Sequence, residues 1–223
     1  MTQEIKIITS GLGNCYLVSL GTGKILVDTG FTFKRKAVDR ELERGGCKPG
    51  DLTLIVLTHG DSDHAGNAAF LRAKHGARIA MHRNDSGMVE RGDMSASRKR
   101  IGRVAKILFS LPYVRLGKSE RFKPDLVLQD GQDLSPFGFD ARVLHLPGHT
   151  AGSIGILTAS GDLFCGDLLV NSEKPAVNSL IDDPDAARAS VEKLKGLEIS
   201  TVYPGHGAPF QWNLLFPTPS AKI

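Results

Sequence analysis

The sequence predicts an α/β fold, and three observations carry that reading. Short apolar, β-branched runs recur along the chain and are separated by glycine-rich turns. Amphipathic stretches of helical length lie between them, so strands and helices alternate instead of segregating. Histidines and aspartates collect just past the ends of the predicted strands, among glycines, where a chain turns at the mouth of a sheet. The 223 residues are 41% hydrophobic and 23% charged. That is ordinary for a globular protein able to bury a core without staples. We read residues 1–223 as a single domain.

Ile5–Thr9, Asn14–Leu20 and Lys24–Val27 read as strands, with turns at Gly11–Gly13 and Gly21–Gly23. Lys34–Arg44 reads as a helix ended by Gly45-Gly46. Leu52–Leu57 is a continuous apolar run, as a buried strand requires. A polar loop over Thr58–Gly66, a helix from Asn67 to His75 and a strand over Arg78–His82 follow. Further strands are predicted at Leu126–Leu128, Ala141–Leu146, Ser153–Thr158, Asp162–Cys165 and Thr201–Tyr203, with a helix over Asp185–Leu197. The tail beyond Pro209 has little pattern.

The segment 83–123 breaks the rhythm. It starts as a polar loop and then carries a helical stretch, Ser97–Leu111, with Ile101, Val104, Ile107, Leu108 and Leu111 on one face. It holds 11 Lys/Arg against 4 Asp/Glu, whereas the whole chain carries a net charge of +4. Two readings stand side by side: a basic lid that attracts an anionic small-molecule substrate, and a packed helix that solvates its charges. The apolar face also makes a second copy of the chain, as a homodimer, a candidate partner.

Several classes are excluded or disfavoured. No apolar run approaches the ~20 residues that span a bilayer, so no membrane partner is expected. Cys15, Cys47 and Cys165 are too few and too scattered for a disulfide framework. The start, Met-Thr-Gln-Glu-Ile-Lys, lacks a basic stretch followed by an apolar one, so the expected location is cytoplasmic.

The chemistry sits in four places. Thr58-His59-Gly60-Asp61-Ser62-Asp63-His64-Ala65-Gly66 packs two histidines and two aspartates into a loop between a strand and a helix. His149 lies in Pro147-Gly148-His149, Asp167 in Cys165-Gly166-Asp167, and His206 in Pro204-Gly205-His206-Gly207. His and Asp suit borderline-to-hard divalent metals. The set exceeds what one tetrahedral ion needs and suits two ions about 3.5–4 Å apart. His75 and His82 read as surface or packed residues, His145 as core or a supporting residue, and Cys165 as packed or lining the site. Tyr113 and Tyr203 stay guesses as substrate donors.

These motifs, taken in order from about Asn14 to His206, resemble the metallo-β-lactamase superfamily, close to its glyoxalase II and lactonase-like hydrolases. The resemblance implies a four-layer αββα sandwich with the metal site at the edge between two sheets. It implies His59 and His149 on a first metal, Asp63, His64 and His206 on a second, Asp167 bridging both, and Asp28 supporting the site from behind. The common motif is His-x-His-x-Asp-His, and here Asp61 stands at its second His. Asp61 is still counted as a ligand, but the three carboxylates and a hydroxide then give −4 against the +4 of two divalent ions. The motif thus implies a neutral centre that polarises substrate less, a weaker first metal, and manganese or iron as alternatives to zinc there. The other reading is that Asp61 does not ligate and the enzyme works with one tightly held ion.

The implied function is hydrolysis of an ester, lactone, thioester or amide bond, with a metal-activated hydroxide as nucleophile. Asp63 and Asp167 are the candidate catalytic carboxylates, Asp63 passing a proton to the leaving group. A phosphodiesterase or nuclease of the same superfamily is the alternative; the small basic footprint disfavours nucleic acid. An iron-dependent oxidoreductase is the other alternative. Against its diiron branch, no flavin domain is present and the acid at position 61 is Asp where Glu is normal there.

Overall fold

A computed structural model describes residues 3–9, 13–21, 23–95, 98, 111 and 114–216. Among them the chain forms two main sheets. The first has six strands in sequence order: β1 (Glu4–Thr9), β2 (Asn14–Leu20), β3 (Gly23–Val27), β4 (Leu52–Val56), β5 (Arg78–His82) and β6 (Leu126–Leu128). The β1–β2 and β2–β3 pairs are antiparallel; from β3 onward the pairing is parallel. The crossovers carry α1 (Arg35–Arg44), α2 (Ser62–Ala65), α3 (Ala68–His75) and α4 (Arg83–Arg91). The second sheet holds β7 (Ala141–His145), β8 (Ile154–Thr158), β9 (Asp162–Gly166), β12 (Thr201–Pro204) and β13 (Phe210–Gln211), in the order β13-β12-β9-β8-β7. A small β10–β11 ribbon (Leu169–Val170, Ala176–Val177) and α5 (Pro184–Lys195) complete the fold.

Strand alternation sorts the buried side chains into three cores. On β2, Tyr16 and Val18 face the second sheet, while Cys15 and Leu17 face the helices. On β4, Leu54 and Val56 face inward, while Leu52 and Ile55 meet Val38 and Leu42 of α1 and Leu71 of α3. The second sheet mirrors this: Val143, Ile156 and Phe164 fill the space between sheets, and Leu157 and Leu163 meet Ala187, Val191 and Leu194 of α5. The result is the four-layer αββα sandwich. Tyr16, Phe139 and Phe164 are the largest side chains closed between the sheets; burying each contributes about 1.5–3 kcal/mol.

The sequence reading needs three corrections. The polar start of the 83–123 segment is a helix, α4. His82 caps it by accepting from Asn84 N, Met88 and Val89 are buried, and Gly92 ends it at φ 68°; tertiary burial outweighs a polar, Gly87-containing sequence. The Thr58–Gly66 loop contains one helical turn, α2, begun by Asp61 in extended conformation. The tail beyond Pro209 is partly ordered, since Phe210 pairs with Val202. Of the helix expected over Ser97–Leu111, only Arg98 and Leu111 are described; Ile101, Val104, Ile107, Leu108 and Tyr113 lie outside the described residues. Among the described residues no helix is long and apolar enough to cross a membrane.

Candidate metal centre

The seven expected donors meet at one edge of the sandwich. β4 ends at Val56, and the chain then delivers His59, Asp61, Asp63 and His64. His149 follows β7, Asp167 follows β9 and His206 follows β12. Each therefore leaves a strand end of one of the two sheets, and Ile154 N donates to Thr58 O at 2.8 Å to join the sheets beside the site.

Three overlapping groups have ligand atoms within 4.8 Å of one another: His59, Asp61 and His149; Asp63, His64 and His206; and His59, His64 and Asp167. Asp167 spans the cluster. It lies 3.3 Å from His64 Nε2, 3.2 Å from His206 Nε2 and 3.8 Å from His149 Nε2. Asp61 Oδ2 lies 3.0 Å from His149 Nε2 and 3.6 Å from His59 Nε2. Asp63 Oδ2 lies 3.3 Å from His206 Nε2 and 3.6 Å from His64 Nε2.

The donor set fits divalent cations on two grounds. First, His59 Nε2, His64 Nε2, Asp61 Oδ1 and Asp167 Oδ1 are buried with no hydrogen-bond partner, a costly condition unless something binds them. Second, the carboxylates of the cluster draw positive charge to these imidazoles. Burial opposes protonation of His64, yet Asp167, Asp63 and Asp28 hold it well above the ordinary histidine range. Burial likewise opposes His149, which Asp61 and Asp167 nonetheless raise. His206 is carried against burial to about 9 by Asp167 and Asp63. Burial alone would raise Asp61 and Asp167; Arg98 and His149 hold the first, and His64 and His206 the second, well below the usual carboxylate range. Bound cations would supply that charge, with His59, Asp61 and His149 at one position, Asp63, His64 and His206 at the other, and Asp167 between them.

The imidazoles are aimed from behind. His64 Nδ1 lies 2.8 Å from Asp28 Oδ2, His149 Nδ1 lies 2.5 Å from Leu180 O, and His59 Nδ1 lies 3.0 Å from Thr58 Oγ1. In each of the first two the acceptor fixes the proton on Nδ1 and leaves Nε2 for a metal. Asp28 also accepts from Thr58 N and Thr58 Oγ1, both at 2.8 Å.

The sequence reading did not single out several supporting residues. Asp85 is fully buried and accepts from Gly60 N, Thr150 Oγ1 and Gly152 N at 3.0, 2.7 and 2.8 Å. It thus ties the His59 loop to the His149 loop. Asn67 Nδ2 donates to the carbonyls of Thr29, Gly30 and Phe31, which fixes the Asp28 loop against α3. Asn14 Nδ2 donates to Pro204 O and Gly207 O on either side of His206. Arg98 pairs with Asp61. A signal existed only for Asn67, which follows the His-Asp loop directly.

The remaining candidates lie outside the cluster. His75 is buried with Nδ1 3.1 Å from Lys48 O. His82 and His145 stack on one another, with ring centroids 4.2 Å apart. Cys165 is buried in the core under α5, with its thiol facing the carbonyls of Gly166 and Leu169. Tyr203 stacks on Phe164.

Comparison with known proteins agrees with this geometry. A family model described as the metallo-beta-lactamase superfamily matches residues 8–206. The chain belongs to the metallo-beta-lactamase superfamily. Human metallo-beta-lactamase domain-containing protein 1 is 30% identical over 212 residues, which cover 91% of this chain and 65% of that protein. Hydroxyacylglutathione hydrolase GloC of Haemophilus influenzae is 34% identical over 122 residues, or 53% of this chain and 50% of that protein. The chain therefore spans less than two thirds of the length of these two relatives. A crystal structure of a protein in a di-iron-bound form matches with a TM-score of 0.69 and 28% identity, covering 92% of each chain.

Proposed function

We propose that this chain hydrolyses an acyl bond (ester, lactone, thioester or amide) at a dinuclear centre held by His59, Asp61, His149, Asp63, His64, His206 and Asp167. The observation that carries the reading is the set of four buried, partnerless donor atoms on His59, Asp61, His64 and Asp167 at one sheet edge. When bound, two divalent cations supply a water acidic enough to attack near neutral pH and a Lewis acid for the carbonyl oxygen. Asp167, which lies near His64, His149 and His206, would be shared between the two positions. Asp63 is the most exposed of the three cluster carboxylates, at 20% of its side chain against 11% for Asp61 and 7% for Asp167. That exposure supports Asp63 as the carboxylate that carries a proton to the leaving group.

Zinc is the proposed metal, and the di-iron-bound structural relative makes iron the first alternative. The name of the Haemophilus relative puts acylglutathione thioesters first among substrates. The substrate is proposed to be small and anionic, drawn by the basic 83–123 segment. The test combines elemental analysis with a panel of thioester, lactone and ester substrates. Near two metals per chain and thioester, lactone or ester turnover lost in His149→Ala support the proposal. Metal-loaded protein that turns over none of the panel, or turnover that survives His149→Ala and Asp167→Ala, would reject it. For Asp63, an unchanged pH–rate profile in metal-loaded Asp63→Asn would remove it from proton transfer.

A further inference from the structure

Arg98 is the residue of the 83–123 segment that reaches the centre among those described. Its side chain is only 6% exposed. Nε donates to Met94 O at 3.3 Å and Nη1 to His149 O at 3.1 Å, while Nη2 makes a charge-assisted hydrogen bond to Asp61 Oδ2. The two oxygens of Asp61 therefore differ. Oδ2 meets both the guanidinium and, at 3.0 Å, His149 Nε2, whereas Oδ1 is buried with no hydrogen-bond partner.

A guanidinium is permanently cationic. Burying one beside positions suited to divalent cations costs Coulomb energy unless a carboxylate cancels it. Burying a fourth nearby carboxylate without a cation costs as much in the other sense, since Asp28, Asp63 and Asp167 already crowd His64. Side by side, Asp61 and Arg98 carry no net charge, just as a neutral imidazole at position 61 would carry none. Asp85 and Asp182 also face Arg98 electrostatically, but the direct pairing within the donor cluster is with Asp61.

We propose that Asp61 and Arg98 form one neutral unit at the first metal position, in which Arg98 cancels the charge of Asp61 and holds its carboxylate against His149 and His59. The unit rests on the metal reading above. Arg98 is a positioning residue: it binds no metal, and its burial keeps it from substrate. The charge count drawn from the motif alone leaves the centre neutral. Adding Arg98 returns it to a net positive charge, so Asp61 does not weaken the activation of water. The pair also ties the 83–123 segment to the centre, with the His149 carbonyl as a further anchor, beside the hold that Asp85 of the same segment has on the His59 and His149 loops.

The experiment is a double-mutant cycle on the full chain with Arg98→Met, Asp61→His and the double variant. Zn(II) affinity is read by chelator competition, and thermal stability is read on the chelated proteins. A neighbouring unit charge moves proton affinity by one to three pK units, so each single change should shift affinity at the weaker site by about tenfold or more. Arg98→Met should tighten zinc and lower the stability of the chelated protein, because Asp61 is left uncompensated. Asp61→His should loosen zinc, because Arg98 then faces cations alone. The double variant should return to within about twofold of wild type. Arg98→Lys keeps the charge and should stay far closer to wild type than Arg98→Met. Should Arg98→Met fail to fold, Arg98→Gln carries the same cycle. On the chelated proteins each single change strands one buried charge and should lower stability, and the double variant should recover it. Losses of stability that simply add in the double variant, or single changes that leave zinc affinity within about twofold of wild type, would overturn the unit. Wild type that binds no Zn(II) would overturn the metal reading itself, and that failure shows before any variant is made.

Discussion

Asp28 Oδ2 and His64 Nδ1 lie 2.8 Å apart, and the aspartate that makes this contact sits at φ 61°, in the left-handed region. It is the one non-glycine residue with positive φ among those described. Asp28 N donates to Val56 O at 2.9 Å, and Thr58 gives the Asp28 carboxylate both its N–H and its hydroxyl, which holds that carboxylate at the back of His64.

Asp28→Asn tests the charge without the backbone, because asparagine tolerates the left-handed region. The variant no longer fixes the proton on His64 Nδ1. Metal affinity should fall by about 10–100-fold, as for other residues that orient a ligand. Isothermal titration with zinc checks it, and an affinity equal to wild type would count against the role.

Asp85→Ala removes the acceptor of two backbone N–H groups and one hydroxyl. Burial pushes the Asp85 carboxyl above its usual value against the pull of Thr150, His59 and Gly60 N, so the site bears a cost that its hydrogen-bond donors help to offset. Leaving those donors buried and unpaired should cost about 2–4 kcal/mol. The urea midpoint should drop with an unchanged slope; a midpoint at the wild-type value would show that water replaces the carboxylate.

Gly205→Ala changes no donor but should abolish metal binding. A Cβ at Gly205 would fall inside contact distance of Asp167 Oδ1 and 2.7 Å from His64 Cε1. Asp167 has to move, and with it the bridging position. Zinc stoichiometry in Gly205→Ala should match that of Asp167→Ala; two tightly held zincs would mean the loop yields instead.

The metal-free protein should lose stability as pH rises from about 6.5 through 9. The His206 imidazole, opposed by burial but lifted by Asp167 and Asp63, titrates at about 9 in the folded chain against roughly 6.5 unfolded. Its contribution is therefore fully present below 6.5 and is lost as pH passes 9. Zinc must displace that proton, so zinc affinity should rise over the same window. Melting of chelated wild type beside chelated His206→Ala checks the sign: the decline should be shallower in the variant.

The strands were legible where sequence and burial agree. Asn14–Leu20 and Arg78–His82 have in the structure the ends read from the sequence, because turn residues bound an apolar run that really is buried. α4 was not legible, because its helical state depends on Met88, Val89 and Asp85 meeting partners far along the chain. The same contrast holds at the site. The donors stand out because consecutive His and Asp residues beyond strand ends form a local pattern. Arg98, Asp85 and Asn14 act across 37, 67 and 190 positions respectively, so nothing near them in sequence marks them.

The donors divide between the sheets. His59, Asp61, Asp63 and His64 belong to the first half of the chain, and His149, Asp167 and His206 hang from the second sheet. A cation seated among them is thus a removable clasp between the two leaves of the sandwich. Prying those leaves apart would require ejecting the ion first, so loading should slow the rate of unfolding as well as shift its equilibrium. A chelator would convert a latched protein into a hinged one, open to proteases at the very edge where its chemistry takes place.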